Sequence, residues 1–182
     1  MSRALVCLAA LLVVVPAAAQ EGVFLTDEEA PRAVFPAADR LTRLDVAMTD
    51  ALRARIAAGL DGRRTSLWEE RYAVTRAERD GVTLGHAIVV EEIGKHRPIT
   101  FVVGIRPDGS VADVAVMAYR EAYGGEVRSP RFLGQYQGRA PADPMRPYHE
   151  IRNVAGATLS VEAASRAVKK AQAVAAALEL GR

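Results

Sequence analysis

The chain has 182 residues, enough for one hydrophobic core, with 24 Lys and Arg against 22 Asp and Glu for a formal net charge of +2. There is no basic block and only 5 % of residues are aromatic, which argues against a nucleic-acid partner. The single cysteine, Cys7, lies in the apolar leader, so disulfide and thiol chemistry are excluded from the rest of the chain.

Arg3, the apolar run 4–15 and the small residues Pro16-Ala17-Ala18-Ala19 before Gln20 read as a secretory signal peptide over residues 1–19. Leu5 and Val6, where a lipoprotein would have small residues, argue against a lipid-anchored cysteine. The expectation is an exported, periplasmic protein whose residues 20–182 form one domain.

Thr26-Asp27-Glu28-Glu29 resembles a helix start, with a polar cap and an acidic first turn, and the helix stops at Pro36. Residues 40–48 alternate weakly and predict an edge strand. Thr49 caps an amphipathic helix over 50–60, with Leu52, Ile56 and Leu60 on one face and Gly62 at its end. A strand is expected over 68–76. Residues 85–92 and 98–105 are β-branched runs joined by Gly94-Lys95, a hairpin signal. Pro107-Asp108-Gly109 turns into a further strand over 111–119. Simple alternation puts Val114, Val116 and Ala118 on one face of it, and Asp113, Ala115, Met117, Tyr119 and Glu121 on the other.

Ser129-Pro130 opens a short helix to about residue 137, and a Pro-rich connection spans 141–147. The stretch Val154-Ala155-Gly156-Ala157-Thr158-Leu159-Ser160 follows. Gly156 permits close approach to the backbone, and Ser160 reads as the N-cap of a long alanine-rich helix over 161–178. The amides and dipole of that helix would favour a phosphate beside Thr158. Strands followed by helices predict an α+β domain: a small antiparallel sheet packed with helices, and a long C-terminal helix.

Classical active-site patterns are missing. His86, His96 and His149 lack paired metal-ligand spacing, which predicts no metal site. Glu69-Glu70 and Glu91-Glu92 are adjacent pairs that point to opposite faces of a strand and read as solvent charges. No GxSxG elbow occurs, and no residue is assigned as catalytic. Arg139 and Arg146 are either anion contacts or surface charge.

Two segments carry a family resemblance. Residues 154–160 resemble the S-G-A-T-x-[ST] flavinylation motif, and residues 100–138 resemble the same family's core: strand, Pro107-Asp108-Gly109 turn, strand, Glu121 with Gly124-Gly125, then Phe132-Leu133-Gly134-Gln135-Tyr136-Gln137-Gly138. The family is the FMN-binding domain family, whose members include a flavin-carrying component of the sodium-pumping NADH:quinone oxidoreductase. The resemblance implies FMN joined through its phosphate to Thr158 by a flavin transferase that uses FAD and a divalent metal. It implies Glu121 near the isoalloxazine. Gly156, Ala157 and Ser160 complete the attachment motif, and Tyr119, Tyr123 and Leu159 are expected neighbours of the ring from their positions in this sequence rather than from the resemblance. It further implies an electron-transfer flavoprotein, more a carrier than a stand-alone enzyme, serving a membrane or periplasmic partner such as a cytochrome or quinone oxidoreductase. A flavin-dependent reductase, a redox sensor and a non-flavin exported binding module stay open as alternatives. The chain departs from the motif at Ala155, where the usual residue is serine, and at Arg152, where it is often acidic.

Overall fold

The computed structural model describes residues 22–181, so the expected signal peptide over 1–19 lies outside the described residues. Among the described residues, six strands form one antiparallel sheet: β1 (Gly22–Val23), β2 (Arg40–Ala47), β3 (Arg71–Arg79), β4 (Val82–Ile93), β5 (Pro98–Ile105) and β6 (Val111–Tyr119), in the spatial order β1-β6-β5-β4-β3-β2. The described α-helices are α1 (Ala30–Val34), α2 (Asp50–Gly59), α3 (Pro130–Leu133) and α4 (Thr158–Ala177). This is the expected α+β domain, and β2 is the expected edge strand.

Alternation in the strands splits the core into two layers. Val74, Ile88, Val90, Phe101 and Val103 face α2 and α4, whereas Ala77, Ala87, Val102 and Met117 face the short helix α1. The alanines of α4 let α2 approach closely: a Cβ on Gly59 would lie 3.2 Å from Ala173 Cβ. At the start of α2, Thr49 Oγ1 accepts from Leu52 N at 3.1 Å. The helix start expected at Thr26 is instead a turn in which Thr26 and Glu29 exchange side-chain bonds with each other's amides, so that α1 begins only at Ala30, without a side-chain cap or an acidic first turn.

Four further expectations are corrected. The strand expected from residue 68 begins at Arg71, because Thr65, Ser66 and Glu69 are used in a buried polar cluster. The helix expected over 130–137 is one α-turn continued as the 3₁₀ turn Gly134–Tyr136. The C-terminal helix starts at Thr158, with Ala157 rather than Ser160 at the N-cap, because Gly156 at φ +76° turns the chain there. The fourth concerns β6. Ala118 pairs with Thr100 while Val116 pairs with Phe101, so Met117 is an extra, bulged residue. The bulge moves Tyr119 to the face of Val114 and Val116, against α4, and Ala118 to the opposite face.

The glutamate pairs are corrected as well. Glu92 is fully buried, and accepts from Ser66 N at 2.9 Å, Ser66 Oγ at 2.5 Å, Arg166 Nε at 3.0 Å and the Thr65 hydroxyl. Lys170, also fully buried in α4, lies 3.1 Å from Glu92 and donates to Glu69 at 2.9 Å and to the Leu67 and Glu91 carbonyls. A buried charge is tolerated only when its partners are this complete. Burial pushes the Glu92 carboxyl up, but Lys170 and the hydroxyls of Ser66 and Thr65 outweigh it and hold the group below its ordinary value.

Candidate functional site

Gly156, in the left-handed region, closes a turn in which Ala157 N donates to Val154 O at 3.0 Å, and Val161 N then opens the helical ladder on Ala157 O. Among the described residues no side chain caps this end of α4, and its first turn has no acidic residue. The first amides and the positive dipole end are therefore available to an anion beside Thr158.

Thr158 Oγ1 is held from both sides. Tyr148 Oη lies 2.7 Å away, and Asn153 Nδ2 donates at 3.3 Å. Asn153 Oδ1 is buried and has no hydrogen-bond partner among the described residues. The loop carrying these groups is tied to the preceding motif, since Arg152 N donates to Gln135 Oε1 at 2.8 Å. A shallow cavity of about 260 Å³ opens beside it, lined by Ser129, Phe132, Gln135, Arg152, Asn153 and others.

The second wall comes from the end of β6. Tyr119 Oη donates to the Tyr123 carbonyl and lies 3.0 Å from Ser160 Oγ. Tyrosine has one hydroxyl proton, so Ser160 is the donor of the second bond. Burial pushes the Tyr119 hydroxyl above its ordinary value. Gly124, at φ +85°, fits where a Cβ would meet Tyr119 Oη at 2.9 Å and Ala157 Cβ at 3.0 Å. The glycine thus brings the 121–125 segment directly against the attachment turn.

Of the expected residues, Gly156, Ala157, Thr158, Leu159 and Ser160 share this turn, and Tyr119 and the backbone of Tyr123 are joined to it through Ser160. Tyr123 is 80 % exposed and Leu159 43 %, forming an open apolar flank. Tyr119 and Ser160 are buried, as braces rather than exposed surface. Glu121 is buried and turns into the β4–β5 hairpin, accepting from His96 N at 2.5 Å and Arg97 N at 2.9 Å. Burial pushes its pKa up, but the amides of Arg97 and His96 dominate and hold it below the ordinary value.

Tyr148 and Asn153 are not singled out by sequence, because their contact with Thr158 follows no helical or strand spacing. Arg139 donates to the Gln135 and Glu150 carbonyls, and Arg146 pairs with Glu150 at 2.7 Å, so both serve the loop's own structure. Among the described residues no group of three or more His, Cys, Asp or Glu is arranged to hold a metal. No described helix is long and apolar enough to cross a membrane.

No curated protein matches the chain. Residues 94–173 match the FMN-binding domain, a span that contains the β4–β5 turn, Glu121, Gly124, the Tyr148 loop and most of α4. By that match residues 94–173 form an FMN-binding domain.

Proposed function

We propose that this flavoprotein is an exported electron carrier that holds FMN through a phosphoester to Thr158. The carrying observation is the Thr158 hydroxyl, at the uncapped start of a 20-residue helix and next to a glycine with open space around its Cβ position. When bound, FMN supplies an isoalloxazine that accepts and returns one or two electrons. The residues fit such a group. The first-turn amides of α4 suit its phosphate, and the orphaned Asn153 Oδ1 suits a ribityl hydroxyl. Tyr123 and Leu159 flank the attachment turn, while Glu121 supports the neighbouring β4–β5 turn.

Covalent attachment is reasonable outside the cytoplasm, where a dissociated cofactor is lost by diffusion. A separate flavin transferase would form the bond, since the side chains that hydrogen-bond Thr158 among the described residues are a tyrosine and an asparagine, neither of them a general base. The exposed flank of Tyr123 and Leu159 favours exchange with a protein partner, such as a periplasmic cytochrome or a membrane quinone oxidoreductase, over enclosure of a small substrate.

The test is expression of the full chain with and without a flavin transferase, followed by intact mass and in-gel fluorescence under denaturing conditions. The expected result is one FMN per chain, only with the transferase, and none in Thr158→Val. A colourless wild-type protein beside a working transferase sinks the reading.

A further inference from the structure

Tyr148 combines three properties that packing does not explain. Its backbone is left-handed, at φ +66°, a region that disfavours a bulky residue. Its side chain is 64 % exposed, so little apolar burial offsets that conformation. Its hydroxyl lies 2.7 Å from Thr158 Oγ1.

The loop holding Tyr148 is fixed. Tyr148 N donates to Ile151 O at 2.9 Å, and Ile151 N to Arg146 O at 3.1 Å. Arg146 binds Glu150 through both its backbone amide and its guanidinium. Ile151 is fully buried and anchors the loop to the core. A glycine or asparagine at position 148 would adopt this backbone at lower cost. The tyrosine keeps a strained conformation that puts one hydroxyl on another.

Resting on the attachment reading above, we infer that Tyr148 is the positioning residue for modification of Thr158. The Thr158 hydroxyl has one proton and two lone pairs. Asn153 Nδ2 can only donate, so it engages one lone pair. In the attacking arrangement Thr158 donates its hydrogen bond to Tyr148 Oη, which leaves the second lone pair free. From this orientation Thr158 Oγ1 attacks the phosphorus of the FMN half of FAD. The Oγ1–P bond forms, the P–O bond to the AMP half breaks, AMP leaves with that electron pair, and the threonine proton is released to solvent. No electrons are exchanged with any oxidant. The same geometry explains the choice of hydroxyl: Ser160 Oγ is buried and donates to Tyr119, whereas Thr158 is only half-buried.

The experiment follows FMN incorporation into the full chain by intact mass, with purified transferase, FAD and a divalent metal, at varied protein concentration. Tyr148→Phe keeps the ring and removes the hydroxyl, and Tyr148→Gly matches the backbone and removes the side chain. Both are expected to melt no lower than wild type, while the incorporation rate falls by about tenfold or more through kcat, the scale of a lost orienting contact. Wild-type kinetics in Tyr148→Phe, or a rise in KM alone, overturns the inference while the attachment reading stands. A wild-type chain that gains no mass overturns the attachment reading, and the role of Tyr148 falls with it.

Discussion

The Tyr119 hydroxyl lies 3.0 Å from Ser160 Oγ and joins the end of β6 to the first turn of α4. Both groups are buried, and the same tyrosine donates to the Tyr123 carbonyl, so one phenol fixes three segments of the site. Each removal is expected to cost stability: about 1 kcal/mol for Ser160→Ala, and about 1–3 kcal/mol for Tyr119→Phe, which also strands a carbonyl. Because the two share a bond, the double variant should lose less than the sum, by about 0.5 kcal/mol or more. Urea denaturation of the four proteins checks this, and strict additivity would show that the contact carries no weight.

Gly124 and Gly156 both have positive φ, yet their surroundings differ. A Cβ at Gly124 meets Tyr119 Oη and Ala157 Cβ, whereas nothing lies within 4 Å of one at Gly156. Gly156→Ala should therefore cost only the backbone term, about 1–2 kcal/mol. Gly124→Ala adds a clash at a braced contact and should cost roughly 1–3 kcal/mol more. Thermal melts decide the order, and flavin incorporation should suffer more in Gly124→Ala because its clash displaces the residue before Thr158. Equal melting temperatures would contradict the packing argument.

Glu121 offers a local test. Its carboxylate takes two amides of the β4–β5 turn, and charged hydrogen bonds of this kind contribute about 1.5–3 kcal/mol each. Glu121→Ala should raise amide hydrogen exchange at His96 and Arg97 by a large factor, and Glu121→Gln by less, since the amide oxygen still accepts. The sign for pH follows from the lowered pKa: protection is present above the ordinary carboxylate value of 4.5 and is lost as pH falls through the lower folded value. Unchanged exchange in Glu121→Ala would rule out the turn-holding role.

Much of this architecture is readable from the residues, for identifiable reasons. Pro98, Pro107-Asp108-Gly109 and the β-branched runs between them set β5 and β6 at their observed bounds. Thr49 and Ser129 announce their helices because capping is local chemistry. The attachment turn is legible because Gly156 and the small residues beside it are contiguous. What escapes is non-local. The bulge at Met117 depends on the partner strand, so alternation assigns Tyr119 to the wrong face. Glu92 resembles a solvent charge until Lys170 and Arg166, from a helix distant in sequence, are folded against it. Tyr148 meets Thr158 only through a loop whose shape no spacing rule encodes.

The buried charges carry the largest expected stability effect. Lys170→Met removes the buried cation of Glu69 and leaves Glu92 with Arg166 alone, and breaking a buried pair of this kind typically costs about 3–5 kcal/mol. Pairing it with Glu92→Gln should recover part of the loss, because the unmatched charge is gone. The pH dependence is signed. In wild type the depressed Glu92 pKa contributes stability that is present above about pH 4.5 and fades as pH falls through its folded value. The gap between wild type and Lys170→Met should therefore narrow on acidification below pH 4.5. A gap that widens there would reverse the assignment.

His86 gives the opposite end of the pH scale. It sits in β4 between Arg76 on β3 and Ile105 on β5, buried, with Nε2 lacking a partner among the described residues. Burial first, and the Arg76 charge second, hold its pKa below the ordinary 6.5. The folded chain thus keeps the imidazole neutral while the unfolded chain protonates it. Stability from this residue is intact above pH 6.5 and declines as pH drops from 6.5 toward the lower folded pKa, since the unfolded state binds the extra proton in that window. Replacing His86 with leucine removes the titration and the unpaired nitrogen together. The expected result is a flatter stability profile just below pH 6.5, with stability at pH 7.5 equal to or above wild type. Equilibrium unfolding at stepped pH measures it, and an unchanged slope below pH 6.5 would show that His86 does not set the acid sensitivity of the sheet.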